Sequence, residues 1–213
     1  NVQRQTIFPI LKGQDVILQS ATGSGKTEAV MAPVIERLIQ CQNGSNPKSS
    51  IPNSYASKSS IPNKYNSNKH SIIYLVPTKA LAIDLKRRLH LIITEKLGLS
   101  MGIRTGDLKQ AGGDNPDLII TTPESFDVMM GSKNTNIRHF VHRLGTVIID
   151  EAHSLVFNYR GEQLKALLQR LEFKSHQRVQ KIALSATMGD LEQIASFFSF
   201  ADNTLKIKSA SQR

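Results

Sequence analysis

Ala21-Thr22-Gly23-Ser24-Gly25-Lys26-Thr27 lies between Asp15-Val16-Ile17-Leu18-Gln19, which reads as a β-strand, and a run from Lys26 to about Gln40, which reads as a helix. Glycines at 23 and 25 let the backbone curl tightly, so that successive N–H groups and the opening of the helix face one point. A turn of this kind cradles phosphate oxygens. Lys26 is expected to reach the β and γ phosphates, and the Thr27 hydroxyl to ligate Mg²⁺. The candidate nucleotide-binding group is therefore Thr22, Gly23, Ser24, Gly25, Lys26 and Thr27.

Outward from this turn, strands and helices alternate. Ser71-Ile72-Ile73-Tyr74-Leu75-Val76 reads as a strand followed by a helix after Pro77, in which Leu81, Leu85, Leu89 and Ile92 recur at helical spacing. Asp117-Leu118-Ile119-Ile120-Thr121 and Thr146-Val147-Ile148-Ile149-Asp150 are apolar runs with polar ends, as buried parallel strands require. Leu164, Leu167, Leu168 and Leu171 form one apolar helical face between Gly161 and Phe173. Lys181 to Leu184 reads as a further strand, and Asp190 as the N-cap of the helix after it. Alternation of this kind predicts an α/β fold, a doubly wound parallel sheet in one domain. Ligands of such a sheet bind at the carboxyl ends of the strands.

Asp150-Glu151-Ala152-His153 falls at one of those ends. Phosphoryl transfer needs a metal to neutralise the β and γ oxygens and a group to orient the attacking water. Asp150 can hold Mg²⁺ through its water shell, and Glu151 can act as the base. An Asp-Glu pair alone is usually a solvated turn; together with the turn at Gly23 to Thr27 it reads as chemistry. The candidate catalytic group is Lys26, Asp150, Glu151 and His153, with Thr27 and Asp150 on the metal.

Composition sets bounds on partners. The 213 residues suffice for one domain with a sizeable core, and 39% hydrophobic with 21% charged residues is the balance of a globular protein. No apolar run is long enough to span a bilayer, and no leader pattern opens the chain. The lone Cys41 cannot form an internal disulfide, which fits a reducing cytoplasm. No Cys/His cluster of zinc-ligand spacing is present. The net charge of +10 suits a polyanion, though charge alone does not separate that reading from a merely basic protein. Part of it belongs to the stretch from Asn43 to His70, which is nearly all Ser, Asn, Lys, Pro and Tyr. There Ser49-Ser50-Ile51-Pro52-Asn53-Ser54-Tyr55 recurs as Ser59-Ser60-Ile61-Pro62-Asn63-Lys64-Tyr65. Residues 43–70 have too little apolar content to pack and are expected to be an inserted, mobile low-complexity loop. They carry four lysines and no acid, so the rest of the chain holds +6 of the +10.

Taken together, the motifs resemble those of superfamily 2 helicases of the DEAH-box type over essentially the whole chain outside the insert. The strict phosphate-loop pattern has glycine where this chain has Ser20, and that departure is the family's own form. Gln3, upstream of Leu11-Lys12-Gly13-Gln14-Asp15, lies where the family places its adenine-reading glutamine. Pro77-Thr78-Lys79-Ala80-Leu81, Thr105-Gly106-Asp107 and Thr121-Thr122-Pro123-Glu124 are similar to the family's strand-contacting motifs. Ser185-Ala186-Thr187 is similar to the motif that couples nucleotide to nucleic acid. The resemblance implies a RecA-like first motor domain that takes ATP and Mg²⁺. It also implies DNA or RNA held through its backbone by Pro77, Thr78, Lys79, Thr105, Gly106, Thr122 and Pro123. A glutamine beside a DEAH box resembles the Lhr-like or RecQ-like branches, and Val76 to Leu81, Thr121 to Ser125 and Tyr159-Arg160-Gly161 look most like Lhr-type helicases. The chain begins at Asn1 without an initiator Met, and the second motor domain with its arginine finger is expected to follow Arg213. Arg160 and Arg170 are expected to be surface or nucleic-acid contacts. Two functions stay open at this level: an ATP-driven motor domain, and a non-catalytic nucleic-acid-binding scaffold with a nucleotide-dependent conformation. DNA and RNA are not distinguished either.

Overall fold

A computed structural model describes residues 2–21, 23–42, 70–106, 108–110, 115–175, 178–186 and 190–208. The chain opens with α1 (Val2–Leu11) and β1 (Val16–Gln19), followed by α2 (Lys26–Gln42) and β2 (Ser71–Leu75). Next come α3 (Lys79–His90), β3 (Met101–Thr105), β4 (Leu108–Gln110), β5 (Leu118–Thr121), α4 (Pro123–Met130) and α5 (Thr135–His142). β6 (Leu144–Ile149), α6 (Tyr159–Lys174), β7 (Gln180–Ser185), α7 (Leu191–Phe197) and β8 (Leu205–Lys208) complete it. One eight-stranded sheet results, in the order β4-β3-β5-β2-β6-β7-β1-β8. Every pairing is parallel except β3 with β4, so this is the doubly wound sheet expected, with one antiparallel edge strand.

Alternation along the buried strands sorts the helices between the two faces. Val16, Leu18, Ile72, Tyr74, Ile148, Ile182 and Leu184 point to one side, where they pack with Val30 and Val34 of α2 and Leu85 and Leu89 of α3. Ile17, Ile73, Leu75, Val147, Ile149 and Ala183 point to the other, against Phe126 of α4, Phe140 of α5, the α6 leucines and Ile194 of α7. Leu164, Leu167, Leu168 and Leu171 are all buried, as their spacing predicts. Each such side chain contributes about 1.5–3 kcal/mol relative to its exposed state. Asp190 caps α7, accepting from the Glu192 N–H at 2.8 Å.

One face departs from its spacing. Leu81 is 42% exposed and Ile92 53% exposed, while Ala82 and Ile93 are buried beside Leu85 and Leu89. The helix widens into a π-helical turn over Leu91–Lys96, and the buried stripe runs 82, 85, 89, 93. No helix among the described residues is long and apolar enough to cross a membrane. The repeat-bearing stretch at 43–69 lies outside the described residues.

Candidate nucleotide and nucleic-acid site

The candidate residues collect along the carboxyl ends of β1, β2, β5, β6 and β7. Gly23 and Gly25 take φ of 74° and 79°, a left-handed backbone that glycine adopts without a Cβ penalty. Lys26 opens α2, and its ammonium is folded onto the turn's own carbonyls, 2.5 Å from Ser20 O and 3.2 Å from Ala21 O. Burial pushes this ammonium below its ordinary range, and the nearby Glu151 and Asp150 carboxylates oppose that. Lys26 thus stands between the turn and the acidic pair. Thr22 lies outside the described residues, and of Gln3 only the place in α1 is described.

Asp150 follows β6 and is tied to β2, its N–H donating to Leu75 O at 2.8 Å. One carboxylate oxygen accepts the Glu151 N–H at 2.9 Å; the other accepts the Tyr74 phenol at 3.0 Å. Burial pushes the Asp150 carboxyl above its ordinary range, while those two hydrogen bonds and Lys26 hold it back. A cation would act in the same direction as Lys26. Glu151 sits at φ 47°, ψ 41°, left-handed for a residue with a Cβ. Such a conformation costs of order 1–3 kcal/mol and persists where the surroundings enforce it. Among the described residues its buried Oε2 has no well-formed hydrogen bond, only the His153 ring nearby. A carboxylate oxygen left so, near a lysine and a phosphate-shaped turn, has the chemistry to take a water or metal-bound water. The Thr27 hydroxyl and the Asp150 carboxylate form the hard-oxygen donor set that Mg²⁺ prefers, so these residues fit the ion.

His153 joins this pair to the end of β7. Its Nδ1 lies 3.4 Å from Glu151 Oε2 and 3.3 Å from Ser185 Oγ. Ser185 O in turn accepts the Ser20 N–H at 3.1 Å, closing a path from the phosphate turn through β7 to the DEAH turn. Ala186 is half-buried beside it, and Thr187 lies outside the described residues.

Strand-contact candidates are placed less uniformly. Thr78 and Lys79 are exposed at the start of α3, where the Thr78 hydroxyl caps the helix by accepting from Leu81 N–H at 3.3 Å. Thr122 is 8% exposed at the start of α4, with Pro123 at the first helical position. Thr105 departs from expectation: it is 2% exposed, and its buried hydroxyl does not reach the surface. It ends β3, whose inward residues alternate with outward ones, and position 105 falls inward. Only the following Gly106 is exposed, and its N–H donates to Ser125 Oγ at 3.0 Å. Asp107 lies outside the described residues.

Sequence reasoning missed a link between these turns. Arg160 donates to both oxygens of Glu124, at 2.5 and 3.2 Å, and to Pro77 O at 2.6 Å. Burial pushes the Glu124 carboxyl up, but Arg160, its own backbone N–H and Thr122 together hold it below its ordinary range. Arg170 pairs with Asp127 of the same α4 at 3.4 Å. Both arginines lie at the surface, as expected, with side chains 37% and 52% exposed, but each is engaged by an acid of α4. The signal available in sequence was the Thr122-Pro123-Glu124 and Arg160-Gly161 pair of motifs, whose meeting only the fold reveals. A polar cavity of about 480 Å³ lies at the opposite end of the sheet, but its Arg178 pairs with Asp15 at 3.1 Å and its Lys181 with Glu172 at 3.0 Å.

A parallel sheet with a glycine-rich turn after β1 and an acidic pair after β6 defines a RecA-like domain. Residues 1–194 match the DEAD/DEAH box helicase family, and the chain belongs to that family. It is similar to Lhr-type helicases. Over 92% of its length it is 32% identical to the Lhr helicase/uracil glycosylase of Escherichia coli, of which it covers 13%. Identity to the ATP-dependent helicase Lhr-Core of Sulfolobus acidocaldarius is 32% over 92% of this chain and 21% of that one. The structure of Mycobacterium smegmatis helicase Lhr bound to ssDNA and AMP-PNP superposes with a TM-score of 0.73, covering 98% of this chain and 25% of that one at 28% identity. A DEAD-box helicase bound to ssRNA and UDP-BeF, 19% identical over 99% of this chain and 40% of that one, shares the fold with a TM-score of 0.73. The chain therefore spans only a small part of the length of the curated relatives it matches.

Proposed function

We propose that this domain binds Mg-ATP at the β1 turn and the backbone of single-stranded DNA or RNA across the β2 and β5 turns, as the first motor domain of a helicase. Lys26 contacts the terminal phosphates, Thr27 and Asp150 hold Mg²⁺, and Glu151 orients the attacking water. The cation's part is to neutralise charge on the phosphate oxygens. His153 and Ser185 pass the state of the nucleotide to the nucleic-acid face. The observation that carries the reading is the meeting of Lys26, Asp150 and Glu151 at the ends of β1 and β6, which flank β7, tied to its Ser185 through His153. A non-catalytic scaffold has no need of all three. Calorimetry with ADP tests it: Lys26→Ala removes a charge-assisted contact and should weaken binding about ten- to a hundredfold. Equal affinity in parent and variant would remove the nucleotide site.

Base choice follows from Gln3 in the first turn of α1. An amide presents both a donor and an acceptor, the pattern that reads adenine, and a site built on such bonds rejects a mismatched base. ADP should therefore bind more tightly than GDP, and Gln3→Ala should narrow the ratio. Equal affinities for ADP and GDP in the parent protein count against this assignment.

Nucleic-acid binding should be weak, indifferent to sequence and salt-sensitive, because phosphate contacts dominate it. Lysines at 48, 58, 64 and 69 could imitate this by charge alone. Fluorescence anisotropy across a salt series separates the two causes. Replacing 43–69 by a short Gly-Ser linker should lower non-specific affinity only. In that background, Lys79→Ala should flatten the log–log salt slope by about one, and Thr78→Ala with Thr122→Ala should weaken binding further. Thr105→Ala should leave binding unchanged, since its side chain is buried. Loss of all binding with the linker, together with parental binding by the alanine variants, would place the grip elsewhere.

A further inference from the structure

We infer that Tyr74 is a positioning residue for the metal side of the nucleotide site, its phenol joining the Thr27 hydroxyl to the Asp150 carboxylate across two elements. The inference rests on the proposed reading of Thr27 and Asp150 as the residues that hold Mg²⁺. Tyr74 lies on β2, is 0% exposed, and donates to Asp150 Oδ2 at 3.0 Å. Thr27, at the start of α2, is a side-chain neighbour of the same phenol, placed to donate its hydroxyl proton to it.

Counting protons shows why this matters. A threonine hydroxyl has one proton and two lone pairs, and ligation of a cation uses a lone pair. Its proton must then point away from the cation, toward an acceptor, and the Tyr74 oxygen is that acceptor. The phenol passes its own single proton to Asp150 Oδ2, while Asp150 Oδ1 accepts the Glu151 N–H at 2.9 Å. Each carboxylate oxygen thus has one fixed donor, and its remaining lone pair is available to the metal or its water shell. The chain Thr27–Tyr74–Asp150 sets the rotamers of both cation-facing groups before the cation arrives. Full burial means that water does not substitute for either bond. A tyrosine that merely filled the core would leave the cation's affinity alone when its oxygen is removed. One that orients the ligands would not.

Tyr74→Phe deletes one oxygen and keeps the ring. ADP affinity is measured by calorimetry in Mg²⁺ and in EDTA, for parent, Tyr74→Phe and Asp150→Asn. Parent and Tyr74→Phe should agree in EDTA, while the gain in affinity on adding Mg²⁺ should shrink about tenfold in the variant, the loss of one charge-assisted hydrogen bond. An undiminished Mg²⁺ gain in Tyr74→Phe, with the gain lost in Asp150→Asn, overturns this inference and leaves the nucleotide site standing. Equal losses in EDTA and Mg²⁺ also overturn it, by showing a purely structural role. If the parent gains nothing from Mg²⁺, the metal reading of Thr27 and Asp150 fails and this inference with it. Should Tyr74→Phe not fold, ¹⁹F NMR gives an independent readout. With Tyr55, Tyr65 and Tyr159 changed to Phe, 3-fluorotyrosine labels Tyr74 alone. Its resonance should move when Mg²⁺ is added to the ADP complex, and a resonance that stays in place overturns the inference.

Discussion

Gly161→Ala is expected to destabilise the protein by about 3 kcal/mol or more, the upper range for forcing atoms into a packed site. A Cβ at this position would fall 1.6 Å from the Leu155 carbonyl oxygen and 3.1 Å from the Phe197 ring. No rotamer relieves a clash with backbone, so either the first turn of α6 or the DEAH turn must shift. Asn158 caps that same turn by accepting the Gly161 N–H at 2.9 Å, which leaves the helix little freedom to slide. For a domain of this size, each kcal/mol lowers Tm by about 2–4 °C. A fall of roughly 6–12 °C in a thermal melt is therefore the expected reading. Since the displaced segment carries His153, surviving folded protein should also lose nucleotide affinity. A melt within about 2 °C of the parent would contradict the expected clash.

The second large effect is on turnover. The 213 residues alone should hydrolyse ATP on the order of a thousandfold or more slowly than a complete two-domain helicase, because an arginine finger contributes that much. Its physical task is to meet the charge developing on the γ phosphate from the side opposite Lys26. Arg160 and Arg170 are engaged by Glu124 and Asp127, and Arg178 pairs with Asp15 at the other end of the sheet. These arginines are committed elsewhere. Phosphate release should also stay flat when an oligonucleotide is added, since stimulation requires a second wall to close. Robust, nucleic-acid-stimulated hydrolysis by these residues alone would contradict the two-domain reading.

The central strands were legible because they are buried on both faces and therefore continuous apolar runs: Val16 to Leu18, Ile72 to Leu75 and Val147 to Ile149 need no alternation to be seen. Elements at and next to the sheet edges hide for the opposite reason. β3 contains Gly102 and Arg104, and β8 reads Leu-Lys-Ile-Lys, a charged pattern suited to an exposed edge. α4 and α5 are eight residues each, too short for a clear period. In the site, residue types and spacing named the phosphate turn and the acidic pair. Side-chain burial was beyond them, since Thr105 and Thr122 both fall at strand ends in sequence yet are buried, at 2% and 8% exposed, while Thr78 is exposed. Tyr74 was legible as a strand residue and no more, because its role arises from two partners brought in by α2 and the end of β6.

Arg160 ties the Pro77 turn to Glu124, and that strut has a mechanical side. The starts of α3 and α4 are held at a fixed separation, so on the proposed reading a strand lying across them would be clamped at two points of constant pitch. Slack cannot accumulate between the clamps. On the proposed reading, movement of a bound strand would come from this face shifting as one rigid jaw against another body, and the distance travelled per cycle would be set by that body's stroke.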